Sequence, residues 1–118
     1  MNNEKDNLIV DLTFSFALKI IEFTELLEGN RKFVVAKQLL RSGTSIGANV
    51  WESQSAESRA DFIHKLKISA KEVSETEYWL RLCDLSKSYP SPNNEMKEDI
   101  LSIKKVLGKI IASTKNNK

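Results

Sequence analysis

Hydrophobic residues recur along this chain at steps of three and four, in four blocks separated by short polar breaks. That period is the signature of amphipathic helices with one buried stripe each. The first block, about residues 8–28, carries Ile9, Leu12, Phe16, Ile20, Phe23 and Leu27, and Phe14, Leu18 and Ile21 widen its stripe. Gly29-Asn30 offers a left-handed stop, because glycine reaches positive φ without a Cβ clash. The second block, about 32–53, carries Ala36, Leu39, Gly43, Ile46 and Val50, with Leu40, Gly47 and Trp51 on one shoulder.

The polar break at Gln54–Glu57 ends in Ser58, and Asp61 three residues later completes a capping box with Asp in place of Glu. The third helix, about 59–87, has Leu66, Val73 and Leu80 as its spine, flanked by Phe62, Ile63, Ala70, Thr76 and Cys83. Tyr89-Pro90-Ser91-Pro92 then breaks the chain. Ser91 is the expected cap of a fourth helix, about 92–113, with Pro92 at its first position, where no N–H is missed. Met96, Ile100, Ile103, Leu107 and Ile110 form a two-in-seven seam along it. Residues 1–7 and 114–118 are expected to fray. Four such helices joined by short turns predict an all-α fold: one antiparallel up-down-up-down four-helix bundle spanning residues 1–118.

Gly43 and Gly47 lie four apart on one side of the second helix. A helix-interior glycine costs about 1 kcal/mol against alanine. The pair is either a close-approach site for a neighbouring helix or two tolerated weak points.

Composition narrows the class. With 41% hydrophobic and 29% charged residues, the chain reads as a water-soluble globular protein. A single cysteine excludes an internal disulfide and suits a reducing cytoplasm. The first residues lack a signal-peptide core, and no apolar run approaches the roughly 18 residues of a membrane span. The net charge of +2 hides two basic segments. Residues 31–51 hold Arg31, Lys32, Lys37 and Arg41 without an acid, and residues 104–118 hold Lys104, Lys105, Lys109, Lys115 and Lys118 without one. Both are solvated faces or phosphate-attracting surfaces.

Candidate chemistry is sparse. One histidine, His64, excludes a histidine metal cluster within the chain, and no Glu stands three residues before it, as a di-iron bundle requires. Cys83 falls near the core face of the third helix and reads as a small buried hydrophobe. No phosphate loop, nucleophile elbow or dinucleotide fingerprint is present, so neither an enzyme nor a cofactor is expected. Arg41, Ser45, Asn49 and Glu52 make one polar line on the second helix, as a solvated face or as a hydrogen-bonded seam against the third helix or another subunit. Glu77, on the shoulder of a core stripe, calls for a cationic partner such as Arg41 or Arg81. Trp51, Tyr78 and Trp79 are too many large rings for one narrow seam. They fill a wide core or stand on a second apolar face that favours self-association; base stacking is a lesser option.

The stretch TSIGANVWESQSAESRADFIHKLKISAKEVSETEYWLRL resembles the bacterial four-helix-bundle family of 23S rRNA intervening-sequence proteins. Ser45-Ile46, Ala48-Asn49, Glu52, Asp61-Phe62-Ile63, Lys65, Lys71-Glu72, Glu75-Thr76 and Tyr78-Trp79-Leu80 carry the resemblance, with departures at Trp51 and Ser53. The resemblance implies a homopentameric barrel. It also implies kinship with accessory variability proteins of diversity-generating retroelements, which pair with a reverse transcriptase and bind nucleic acid through a basic surface. The expectation is therefore a cytoplasmic, homo-oligomeric accessory protein binding RNA or DNA through Arg31, Lys32, Lys37, Lys104, Lys105 and Lys109, with no membrane role. The competing expectation is a protein-interaction scaffold with no nucleic-acid role.

Overall fold

The computed structural model describes residues 4–116, with side-chain environments from residue 7 onward. Four helices make up most of the described residues: α1 (Glu4–Gly29), α2 (Phe33–Ser53), α3 (Arg59–Leu85) and α4 (Asn94–Asn116). The end residues expected to fray are helical where described, in α1 and in α4; residues 1–3 and 117–118, including Lys118, lie outside the described residues.

Three turns decide where the helices stop. Glycine does not terminate α1. Arg31 takes the left-handed conformation instead, with φ 64°. Its N–H donates to the Glu28 carbonyl, and the Lys32 N–H donates to the Leu27 carbonyl, both at 2.8 Å. This is a Schellman stop with an arginine where glycine is usual. At α3 the expected cap is present: the Asp61 N–H donates to Ser58 Oγ at 3.0 Å, and the Glu57 N–H donates to the Asp61 carboxylate. At α4 the cap differs from expectation. Asn93, not Ser91, accepts from the Met96 N–H at 2.9 Å, and Pro92 is buried ahead of the helix. A side-chain amide oxygen one residue before α4 wins over the hydroxyl two residues earlier, because the cap must reach back to the third helical N–H.

Each helix packs against two others. The backbone of α2 lies beside α1 and α3, and that of α4 beside α1 and α3, while the backbones of α1 and α3, and of α2 and α4, face each other across the core without close approach. The helices thus ring one elongated core, 50 × 22 × 18 Å overall. The expected stripes of α2, α3 and α4 fill it: Leu39, Ile46, Val50, Phe62, Leu66, Val73, Ile103 and Leu107 are all essentially inaccessible. Along α1, Ile9, Phe16, Ile20 and Leu27 do the same, but Phe14, Leu18 and Ile21 do not widen the core; they stand exposed.

Small residues set the helix spacing. A Cβ on Gly43 would lie 2.8 Å from two Ile20 side-chain carbons, and one on Gly47 would lie 3.1 Å from the Thr13 carbonyl oxygen. The two glycines are therefore the close-approach site between α2 and α1. On the other side of α2, buried hydroxyls bridge to α3: Ser69 donates to the Ile46 carbonyl at 2.8 Å, and Thr76 donates to Ser42 Oγ at 2.9 Å. Thr13, Thr24 and Ser53 donate to carbonyls within their own helices. Among the described residues no buried side-chain polar atom lacks a partner. These groups therefore avoid the ~1–3 kcal/mol cost of an unpaired buried hydroxyl.

Candidate functional site

The polar line on α2 is a seam with α3 at its two ends. Arg41 reaches across to Glu72 at 3.0 Å and to Glu75, and Glu52 accepts from Lys65 Nζ at 2.9 Å. Its two middle members fold back on their own helix: Ser45 donates to the Arg41 carbonyl and Asn49 to the Ser45 carbonyl. Glu75 also accepts from the Trp79 indole N–H at 3.1 Å. Hydrogen bonds from Arg41, then from Trp79, hold its carboxyl below the usual carboxylate range. This arrangement is a clamp between neighbouring helices. It engages both Glu72 oxygens, one Glu75 oxygen and one Glu52 oxygen.

Glu77 pairs with neither Arg41 nor Arg81. Its partner is Lys104 of α4, at 3.3 Å. Three further bridges tie α4 to its neighbours: Lys19 of α1 binds Glu95 and Asp99 of α4, and Lys97 binds Asp84 of α3 at 2.9 Å. No local pattern announces a pair 80 residues apart, such as Lys19 and Asp99. His64 is exposed on α3. Cys83 is fully buried, and burial pushes its thiol up, which suppresses the thiolate a nucleophile needs. Among the described residues no group of three or more His, Cys, Asp and Glu side chains is placed to hold a metal.

The large rings divide. Trp79 is half-buried against the core, whereas Tyr78 is exposed and meets Trp79 edge-on at 5.2 Å. Trp51 is 63% exposed and lies 6.2 Å from Phe14, itself 55% exposed. Between α1 and α2 these two rings border a shallow groove of about 400 Å³. Val10, Phe14, Ala17 and Ile21 line it from α1, and Thr44, Gly47, Ala48 and Trp51 line it from α2. With Leu18, which also lines it, these residues recur at helical spacing, three or four apart or as neighbours on one face, and form a second seam distinct from the core seam. Thr44 is its one polar side chain, and small residues floor it.

The candidate cations do not converge within one protomer. Arg31 occupies the left-handed turn position, Lys37 is exposed near the start of α2, and Lys32 lies 4.9 Å over the Tyr89 ring. They mark the end of the bundle where α3 stops and α4 begins. Lys104, Lys105 and Lys109 lie 10 to 15 residues along α4, about 15–22 Å further down the axis. Since α2 and α4 face each other across the core, the two groups lie on opposite corners of the bundle.

A family model described as 23S rRNA-intervening sequence protein matches residues 5–109. A crystal structure of a protein with unknown function from the S23 ribosomal protein family, from Bacteroides thetaiotaomicron VPI-5482, is 44% identical to this chain. The alignment covers 92% of this chain and 98% of that one, with a TM-score of 0.83. No curated protein matches.

Proposed function

This chain belongs to the 23S rRNA-intervening sequence protein family, and from that premise we propose that it is a non-enzymatic accessory factor: an antiparallel up-down-up-down bundle that self-assembles and binds nucleic acid through its lysines. The observation that carries this reading is a divided surface, with an uncovered apolar groove on α1 and α2 and uncompensated cations on α4.

The groove supports self-assembly. Covering the exposed parts of Phe14, Leu18, Ile21 and Trp51 would remove roughly 400 Å² of apolar surface, on the scale of 150–250 Å² for a whole aromatic side chain. A stable interface buries about 800 Å² per partner. The groove is then the apolar centre of an interface, not the whole of it. A closed ring of five copies, as the family resemblance implies, would also bring cations of different protomers onto one surface and multiply weak phosphate contacts. Among the described residues no helix is long and apolar enough to cross a membrane.

The test is binding of nuclease-treated protein to structured RNA and duplex DNA across a salt series. Binding should weaken linearly on a log–log plot, with a slope of about −0.9 per phosphate contacted on duplex DNA. Lys105→Glu and Lys109→Glu, combined with Lys104→Gln to avoid repelling Glu77, should abolish it and leave helicity unchanged. Undiminished binding by that triple variant would show the α4 assignment to be wrong. A second reading, a protein-interaction scaffold, is favoured by the small-residue floor of the groove. Enrichment of one protein on the immobilised chain after nuclease treatment, with no binding of RNA or DNA at low salt, would select it.

A further inference from the structure

Two bridges set the register of α3 against α4: Asp84–Lys97 and Glu77–Lys104. They are seven residues apart on each helix, one descending in number while the other ascends. Another such step, about 10 Å along the axis, sets Ala70 level with Ile111. Both are half-buried against the core, as that register requires. Four residues further, Leu66 is level with Lys115.

This register aligns two acid-free segments. α3 has no acid between Asp61 and Glu72, and α4 has none after Asp99. Lys67 and Lys71 on α3, and Lys105, Lys109 and Lys115 on α4, are all exposed, and none forms an ion pair among the described residues. Towards the other end of the same face, Glu77 and Asp84 of α3 meet lysines of α4, and Glu95 and Asp99 of α4 turn to Lys19 of α1. The face is polarised along its length, although residues 59–85 of α3 hold five acids and five bases. That balance hides Lys67 and Lys71 from any count by segment.

We propose that the phosphodiester backbone of a double-helical nucleic acid binds across the α3–α4 face at this end, with Lys67 and Lys71 as contacts beside Lys105, Lys109 and Lys115. The inference rests on the nucleic-acid reading above and extends its surface onto α3. Arg31 and Lys32, in the turn before α2, and Lys37, on α2, sit at the opposite end of the bundle and across it from α4, and lie outside the surface. Two rows of cations, on adjacent helices whose axes lie about 8–10 Å apart, face the polyanion, and the nearest carboxylate between the helices, Glu77, is already held by Lys104. The nearest exposed ring, Tyr78, is seven residues beyond Lys71. The surface therefore lacks the interleaved aromatics of a single-strand stacking platform and holds phosphates without reading bases.

The experiment measures fluorescence anisotropy of duplex RNA, duplex DNA and a matched single strand against the full chain, between about 50 and 200 mM salt. Lys67→Glu with Lys71→Glu should weaken duplex binding at least tenfold. It should also flatten the salt slope by about two contacts, near −0.9 each. Arg31→Glu, Lys32→Glu and Lys37→Glu together should change neither. Circular dichroism confirms folding, and Lys67→Ala with Lys71→Ala stands in if the charge-reversed chain unfolds. Wild-type binding by the α3 variant, while the α4 variant is impaired, overturns the inference and leaves the nucleic-acid reading standing. A flattened slope in the α2 variant overturns it by moving the surface. Preference for the single strand, or displacement by polyglutamate of matched charge, overturns it in favour of another polyanion. Failure of the wild-type chain to bind any of the three removes both readings.

Discussion

Single residues carry opposite costs in this bundle. Arg31 holds a positive φ that glycine would adopt without strain, whereas Gly43 occupies a space into which no Cβ fits. Arg31→Gly is expected to stabilise the chain by about 1 kcal/mol, since a left-handed conformation costs a side-chain-bearing residue roughly 1–2 kcal/mol and glycine's greater unfolded-state entropy offsets part of that. Gly43→Ala should do the reverse. Better helix propensity contributes at most about 1 kcal/mol, while the new methyl presses on Ile20, which is itself fully buried and has nowhere to go. Overpacking of this kind costs typically 1–3 kcal/mol, so a net loss should appear as a lower urea midpoint at unchanged m value. Glycine spacing in the sequence raised the possibility of close approach at Gly43. The strain at Arg31 is hidden behind Gly29, a better-known helix terminator two residues too early.

At the scale of elements, the seams of α2, α3 and α4 were legible because each has one buried stripe of apolar residues at helical spacing. α1 was misread for a specific reason. It carries two apolar stripes, and periodicity shows that Phe14, Leu18 and Ile21 share a side of the helix without showing that another helix covers them. At the start of α4 a serine and a proline together make a strong N-terminal signal, yet the asparagine two residues later carries the cap. Asn93→Ala should therefore cost about 1 kcal/mol, the usual value for losing a cap, whereas Ser91→Ala should be neutral. Thermal unfolding of the two variants decides between the caps. The polar line on α2 shows the intermediate case. Its spacing was evident, but only α3 reveals that Arg41 and Glu52 reach across the boundary while Ser45 and Asn49 do not.

For the whole molecule, assembly and stability should be linked. If the α1–α2 groove is covered by a second copy, association stabilises the folded chain by mass action, and the thermal midpoint rises with protein concentration. Trp51→Glu with Leu18→Glu should give a folded protein whose midpoint is independent of concentration and which sediments as a single chain. A concentration-independent midpoint in the wild type would rule out assembly through that groove. The sequence by itself determined the number of helices, most of their core faces and the family, because helical period, turn residues and a run of specific side chains are local properties. Only the tertiary structure decided which apolar residues remain uncovered, which acids are already taken by lysines and which cations stand together unpaired. Those are properties of neighbours far apart in the chain, set by how the four helices are placed around one core, and composition along a single helix averages them away.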